Sequence, residues 1–209
     1  TYTLPDYQTQ CGCADIMMHT MERYFVLEDT MEITDKIAQD VMKNVMKYAK
    51  ILKKDPENYE ARAEIMWCGS LSHNGLTGCG TCGGDWATHL IEHELGGMFD
   101  VAHGAGLAAV WGSWARYVMD EKPERFAQFA VDVMGVEESD DVKSTALKGI
   151  EAVEEFYRMI EMPTNMKELG INPTDEQIKD MAMKATNHDT QQLGAFKKLS
   201  AKDLVEIYK

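Results

Sequence analysis

Apolar residues recur every three to four positions along almost the whole 209-residue chain, and that period ties it to one class of structure. Ile37, Val41, Val45, Tyr48, Ile51 and Leu52 form one stripe, and Val142, Leu147, Ile150, Val153, Phe156 and Tyr157 another. A helix places each set on a single face, whereas a strand would send successive residues to opposite sides. No convincing alternating run competes. The expected fold is therefore all-α, a helical bundle with helices near 8–27, 33–54, 57–76, 85–96, 103–119, 123–134, 139–161, 175–187 and 200–208. Asp55-Pro56, Pro123, Pro163 and Asn172-Pro173 punctuate it, because proline cannot donate to a helix interior and restricts the residue before it. Ser200-x-x-Asp203 is a capping signal for the last helix. The 15 methionines fall mostly on the stripes and read as core filler.

Charge narrows the function. With 21 Lys and Arg against 35 Asp and Glu, the net charge is −14, and such a surface repels nucleic-acid phosphate and anionic lipid. No apolar run approaches the roughly 20 residues needed to span a bilayer, and TYTLPDYQTQ has no basic leader, so a cytoplasmic setting is expected. Thr1 in place of Met, followed by an extended-looking TYTLP, suggests a piece of something longer.

Two motifs invite cofactor readings. Cys11-x-Cys13 and Cys79-x-x-Cys82 could together offer four thiolates to zinc, although their separation and the glycines around the second pair favour reduced loop cysteines. Gly78-x-Gly80-x-x-Gly83 matches the dinucleotide fingerprint formally, but that motif works after a strand, and here a helix is expected before it.

The histidines are more informative. Asp15 and His19 lie four apart in ADIMMHT, which on a helix points both side chains from one face, one turn apart. His89 and His93 repeat the spacing in THLIEHEL, and His103 follows ten residues later, after Gly96 and Gly97 offer a turn. His73 and His188 lack such a context and read as structural. Read alone, residues 89–93 also spell H-x-x-E-H, the inverted zincin pattern, with His89 and His93 as zinc ligands and Glu92 as general base of a peptidase. A non-catalytic helical interaction module is a third possibility.

Beyond these patterns, GGDWATHLIEHELGGMFDVAHGAGLAAVWGSWARYVMD resembles the C-terminal metal domain of iron-containing (group III) alcohol dehydrogenases, in the butanol dehydrogenase-like branch. TLPDYQTQCGCADIMMHTMERYF resembles the start of that domain and LSAKDLVEIYK its last helix, so the resemblance covers residues 1–209 as a single α-helical metal-binding domain. It implies a metal held by Asp15, His19, His89 and His103, with His93 beside the substrate as proton relay or orienting group. Three imidazoles and a carboxylate suit Fe²⁺ or Zn²⁺. Trp86, three residues before His89, could line the pocket near the metal or pack helix against helix. The implied reaction is hydride transfer between NAD(P)H and a small aldehyde or primary alcohol, the metal polarising the oxygen. The family's Gly-Gly-Gly-Ser cofactor loop and its flanking strands are not found in this sequence, so Tyr2 and Leu4 are the remnants expected to border the cofactor, and these residues alone are expected to bind metal with little turnover. A homodimer, and an apolar surface where the nucleotide-binding domain would pack, are further expectations.

Overall fold

The computed structural model describes residues 1–28 and 32–209. Its described residues form nine α-helices: α1 (Asp6–Tyr24), α2 (Glu32–Lys54), α3 (Tyr59–His73), α4 (Ala87–Phe99), α5 (His103–Val118), α6 (Pro123–Asp132), α7 (Val142–Met159), α8 (Asp175–Ala185) and α9 (Ala201–Tyr208). No strand occurs among the described residues, where an isolated antiparallel bridge pairs Leu193 with Leu199. No helix of the described residues is long and apolar enough to cross a membrane.

Helix α1 is the axis of the bundle. It packs against α2, α3 and α5, and its Cys13, Ala14, Met17, Met18 and Met21 are fully buried. Phe25, just beyond its end, stacks on Phe126 at 4.4 Å between ring centroids and lies among Trp111, Trp114 and Phe129. Burying each such side chain contributes about 1.5–3 kcal/mol. The stripe on α2 buries Val41, Val45, Tyr48 and Leu52 as expected, and that on α7 buries Ile150, Val153, Phe156 and Tyr157, while Val142 and Leu147 face solvent. The pair α6 and α7 closes on itself so tightly that a Cβ on Gly149 would stand 2.5 Å from that of Ala130. The Arg125 guanidinium on α6 reaches across to α1 and α2, donating to Tyr24 O at 2.7 and 2.9 Å and to both oxygens of Asp35 at 2.6 and 2.7 Å.

Some helix ends differ from expectation. The Gly96-Gly97 pair does not turn the chain, because α4 runs on to Phe99 and stops where Asp100 adopts φ 52°. Its start is set by Asp85, whose Oδ2 accepts from Ala87 N at 3.1 Å, and by Trp86 at φ 63°. Ser200 and Asp203 form the expected capping box on α9. The glycine-rich segment follows α3 through a short 3₁₀ turn, Leu76–Gly78, and no strand precedes it, which removes the context that a dinucleotide loop requires. All five cysteines are free, and none joins a group of metal-capable side chains among the described residues.

Candidate metal centre

Three helices converge on Asp15. From α1, Asp15 and His19 project one turn apart; α4 brings His89 in its first turn; α5 opens with His103. Asp15 Oδ1 lies 3.6 Å from His19 Nε2, 3.6 Å from His89 Nε2 and 3.4 Å from His103 Nε2. Ligand atoms of Asp15, His19 and His89 all fall within 4.8 Å of one another. Asp15 Oδ1 and His89 Nε2 are buried with no hydrogen-bond partner, the state expected of atoms that would otherwise face an ion. The donor set fits a divalent cation of borderline hardness.

Two buried glutamates fix the tautomers. Glu22 Oε2 accepts from His89 Nδ1 at 2.5 Å, and Glu92 Oε2 accepts from His103 Nδ1 in a short contact. A carboxylate only accepts, so the hydrogen sits on Nδ1 and each Nε2 is left to face Asp15. Glu22 lies seven residues after Asp15, on the same face of α1, and Glu92 lies three after His89. Helical spacing places both within reach of the histidines, although in the sequence alone Glu22 carries no motif and Glu92 fits a general base in the peptidase alternative. Glu92 is 1% exposed and engaged by His103, which does not place it to activate water.

Glycines make room for this arrangement. A Cβ on Gly106 would stand 2.5 Å from Glu92 Oε1, and one on Gly104 would stand 2.0 Å from the Cys11 carbonyl, so the close approach of α5 to α4 at Gly106 and to α1 at Gly104 requires residues without side chains.

Electrostatics follow from the same contacts. Burial opposes charge on His89, yet the carboxylates of Asp15 and Glu22 outweigh it and push its pKa up to about 9. Asp15 and Glu92 push His103 up to about 10 against its burial. Burial and the neighbouring cations hold His19 down near 4, despite the pull of Asp15, so that its ring is neutral with a free lone pair. The histidines around Asp15 hold its carboxyl well below the usual range even though burial works the other way.

Trp86, for which the sequence leaves open a place beside the site or between helices, borders the site, its ring edge-on to His19 at 5.4 Å and to His89 at 5.3 Å, with its Nε1 donating to Gly83 O at 3.0 Å and Arg23 over its face at 4.6 Å. His93 is exposed one turn beyond His89, with ring centroids 5.6 Å from His103 and 6.3 Å from His89. His73 is close as well: its Nε2 lies 3.5 Å from Asp15 Oδ2, a neighbour that sequence spacing did not reveal because it comes from α3. Tyr2 and Leu4 are exposed, and Tyr2 lines an open groove with Tyr59, Arg62, Met66 and Trp67 and not the histidine cluster. Tyr59, Met66 and Trp67 are 76%, 60% and 61% exposed.

The chain is similar to known proteins over its whole length. It is 33% identical over 210 residues to NADH-dependent butanol dehydrogenase A of Clostridium acetobutylicum, a match covering 100% of this chain and 53% of that protein. It is 33% identical over 195 residues to the NADPH-dependent aldehyde reductase YqhD of Escherichia coli, covering 93% of this chain and 49% of the relative. Among solved structures, NADH-dependent butanol dehydrogenase A of Thermotoga maritima superposes with a TM-score of 0.91 at 34% identity, covering 99% of this chain and 52% of that one. The substrate- and cofactor-free form of YqhD superposes with a TM-score of 0.92 at 30% identity, covering 100% and 54%. The chain thus spans about half the length of the curated relatives it matches. Residues 9–209 match the description "Fe-containing alcohol dehydrogenase family, C-terminal", and with an all-helical fold among the described residues and three of its helices meeting at an Asp-His cluster, this chain belongs to the Fe-containing alcohol dehydrogenase family.

Proposed function

We propose that residues 1–209 supply the metal-bearing half of the active site of an NAD(P)-dependent alcohol dehydrogenase or aldehyde reductase. The observation that carries this reading is the convergence of His19, His89 and His103 Nε2 on Asp15 Oδ1 at 3.4–3.6 Å. Asp15, His19, His89 and His103 would hold Fe²⁺ or Zn²⁺. When bound, the ion supplies Lewis-acid polarisation of the substrate oxygen, and the nicotinamide gives or takes the hydride.

The protein's own groups have separate tasks. Glu22 and Glu92 keep the Nε2 lone pairs of His89 and His103 turned inward. His93, exposed beside His103, holds at an imidazole nitrogen the proton that leaves or joins the substrate oxygen. Trp86 walls the site and restricts water beside His19. The substrate class is a small alcohol or aldehyde, in keeping with what the butanol dehydrogenase and aldehyde reductase relatives are named for. Nicotinamide binding is assigned chiefly to the half of the relatives that these residues do not match, with Tyr2 and Leu4 bordering it.

The test is elemental analysis of the purified protein and of Asp15→Ala, followed by NADH or NADPH with butanal. About one Fe or Zn per chain, lost in the variant, supports the reading. Metal content indifferent to Asp15 would sink it.

A further inference from the structure

Trp86, Leu90 and His93 follow one another at intervals of four and three, so they lie on one side of α4. Trp86, just before the helix, is already in its register, because its carbonyl accepts from Leu90 N at 3.2 Å. The buried candidate ligand His89 borders this side. Leu90 is 38% exposed, and neither Leu90 nor Trp86 belongs to the hydrophobic core of the described residues. Core packing therefore accounts for neither apolar side chain.

The indole is held from several sides. Its Nε1 donates to Gly83 O at 3.0 Å, and the Arg23 guanidinium lies 4.6 Å from the ring centre. Arg23 is itself pinned, donating to Ser72 O at 2.7 Å and to His19 O at 3.0 Å. The ring thus stays 5.4 Å from His19 and 5.3 Å from His89, while farther along the helix His93 lies 5.6 Å from His103. This side of α4 has a polar end at His93 and an apolar end at Leu90 and Trp86, and the Asp15 cluster flanks both. We propose that Trp86 and Leu90 are specificity-determining residues, forming the subsite for the hydrocarbon tail of a substrate whose oxygen is held at the Asp15 cluster. This rests on the metal-centre reading above and adds which side chains choose among its substrates. Indole and leucine surface favours a methylene chain by burial, and it offers no carboxylate or hydroxyl to replace the water that a second hydroxyl on the tail would lose. The substrate class selected is an aldehyde or primary alcohol with an apolar chain.

The experiment uses the full-length protein loaded with Zn²⁺ and reads, by titration calorimetry, the binding of unreactive primary amides, whose carbonyl stands in for that of an aldehyde. Affinity should rise about fourfold per methylene from acetamide to butanamide. Butanamide should bind about tenfold tighter than 3-hydroxypropanamide, which has the same shape with a hydroxyl in place of the last methyl. Leu90→Ser should flatten the first series and narrow the second ratio to about threefold, with metal content equal to the parent's. Trp86→Ala should do the same, and Leu90→Ser, at an exposed position, carries the test if Trp86→Ala does not fold. An amide series and a hydroxyl ratio in Leu90→Ser equal to the parent's would overturn the proposal, as would a parent indifferent to the tail. A raised KM for NADH or NADPH in Leu90→Ser beside an unaltered amide series would overturn it too, giving this side of α4 to the nicotinamide. A parent protein without metal by elemental analysis would remove the metal-centre reading itself, a result distinguishable from these.

Discussion

Glu22 grips His89 twice: Oε2 takes the imidazole Nδ1 hydrogen at 2.5 Å, while Oε1 accepts from the backbone N–H groups of Thr88 at 2.7 Å and His89 at 3.3 Å. One carboxylate on α1 therefore satisfies the opening amides of α4 and orients the ring that α4 delivers. Replacing it by Gln leaves an acceptor for the amides but weakens the hold on Nδ1. Glu22→Gln is expected to lower metal affinity about 10–100-fold, as read by competition with a chromophoric chelator. An affinity equal to the parent's would mean that His89 needs no such partner.

Gly106 and Gly97 separate steric need from chance. A Cβ at Gly106 would collide with the Glu92 carboxylate, but at Gly97, on the exposed side of α4, it would meet nothing within 4 Å. Gly106→Ala should cost about 1–3 kcal/mol in denaturant unfolding and loosen His103 enough to weaken metal binding. Gly97→Ala should gain about 0.5–1 kcal/mol from the lower cost of ordering alanine in a helix, with metal binding unchanged.

Much of this architecture was readable in the chain. The stripes on α2 and α7 announced helices because burial has the helix period, and Asp15/His19 and His89/His93 announced themselves by i,i+4 spacing. What stayed hidden depended on contacts between helices. His73 meets Asp15 through the packing of α3 on α1, which no local spacing records, and the Glu92 carboxylate could be read as a base until His103 was seen to occupy it. The Gly96-Gly97 pair misled for another reason: glycine permits a turn without requiring one, and hydrogen bonding carries α4 through it to Asp100.

Asp85 should make stability pH-dependent. It is 4% exposed and its Oδ1 accepts from Ala195 N and Phe196 N, each at 2.6 Å. Burial, with Glu22 adding repulsion, pushes its pKa from 3.8 up to about 6, against the pull of these amides. The folded protein thus holds this proton more tightly than the unfolded chain. The resulting stabilisation is complete below about pH 4 and is lost as pH rises through about 6, on the order of 2–3 kcal/mol. Unfolding of the metal-free protein and of Asp85→Asn at several pH values checks this: the difference between them should change across that window and be flat above it.

Arg125 and Asp35 form a buried pair, with side chains 4% and 9% exposed. Arg125→Met would strip Asp35 of its bidentate partner and Tyr24 O of two donors, with an expected loss of about 3–5 kcal/mol in denaturant unfolding. Changing Asp35 to Leu in the same background should restore part of that loss, because the buried carboxylate that lost its guanidinium partner would then be gone.

The candidate ligands come from α1, α4 and α5, so an ion at Asp15 would tie the beginning of the fold to its middle. Topologically it would be a removable cross-link, shortening the path between distant segments of the chain and restricting the unfolded ensemble as a disulfide does, without a covalent bond. A site that serves chemistry would then also set how easily the bundle comes apart, and stripping the metal would cost the protein mechanical and proteolytic resistance along with its Lewis acid.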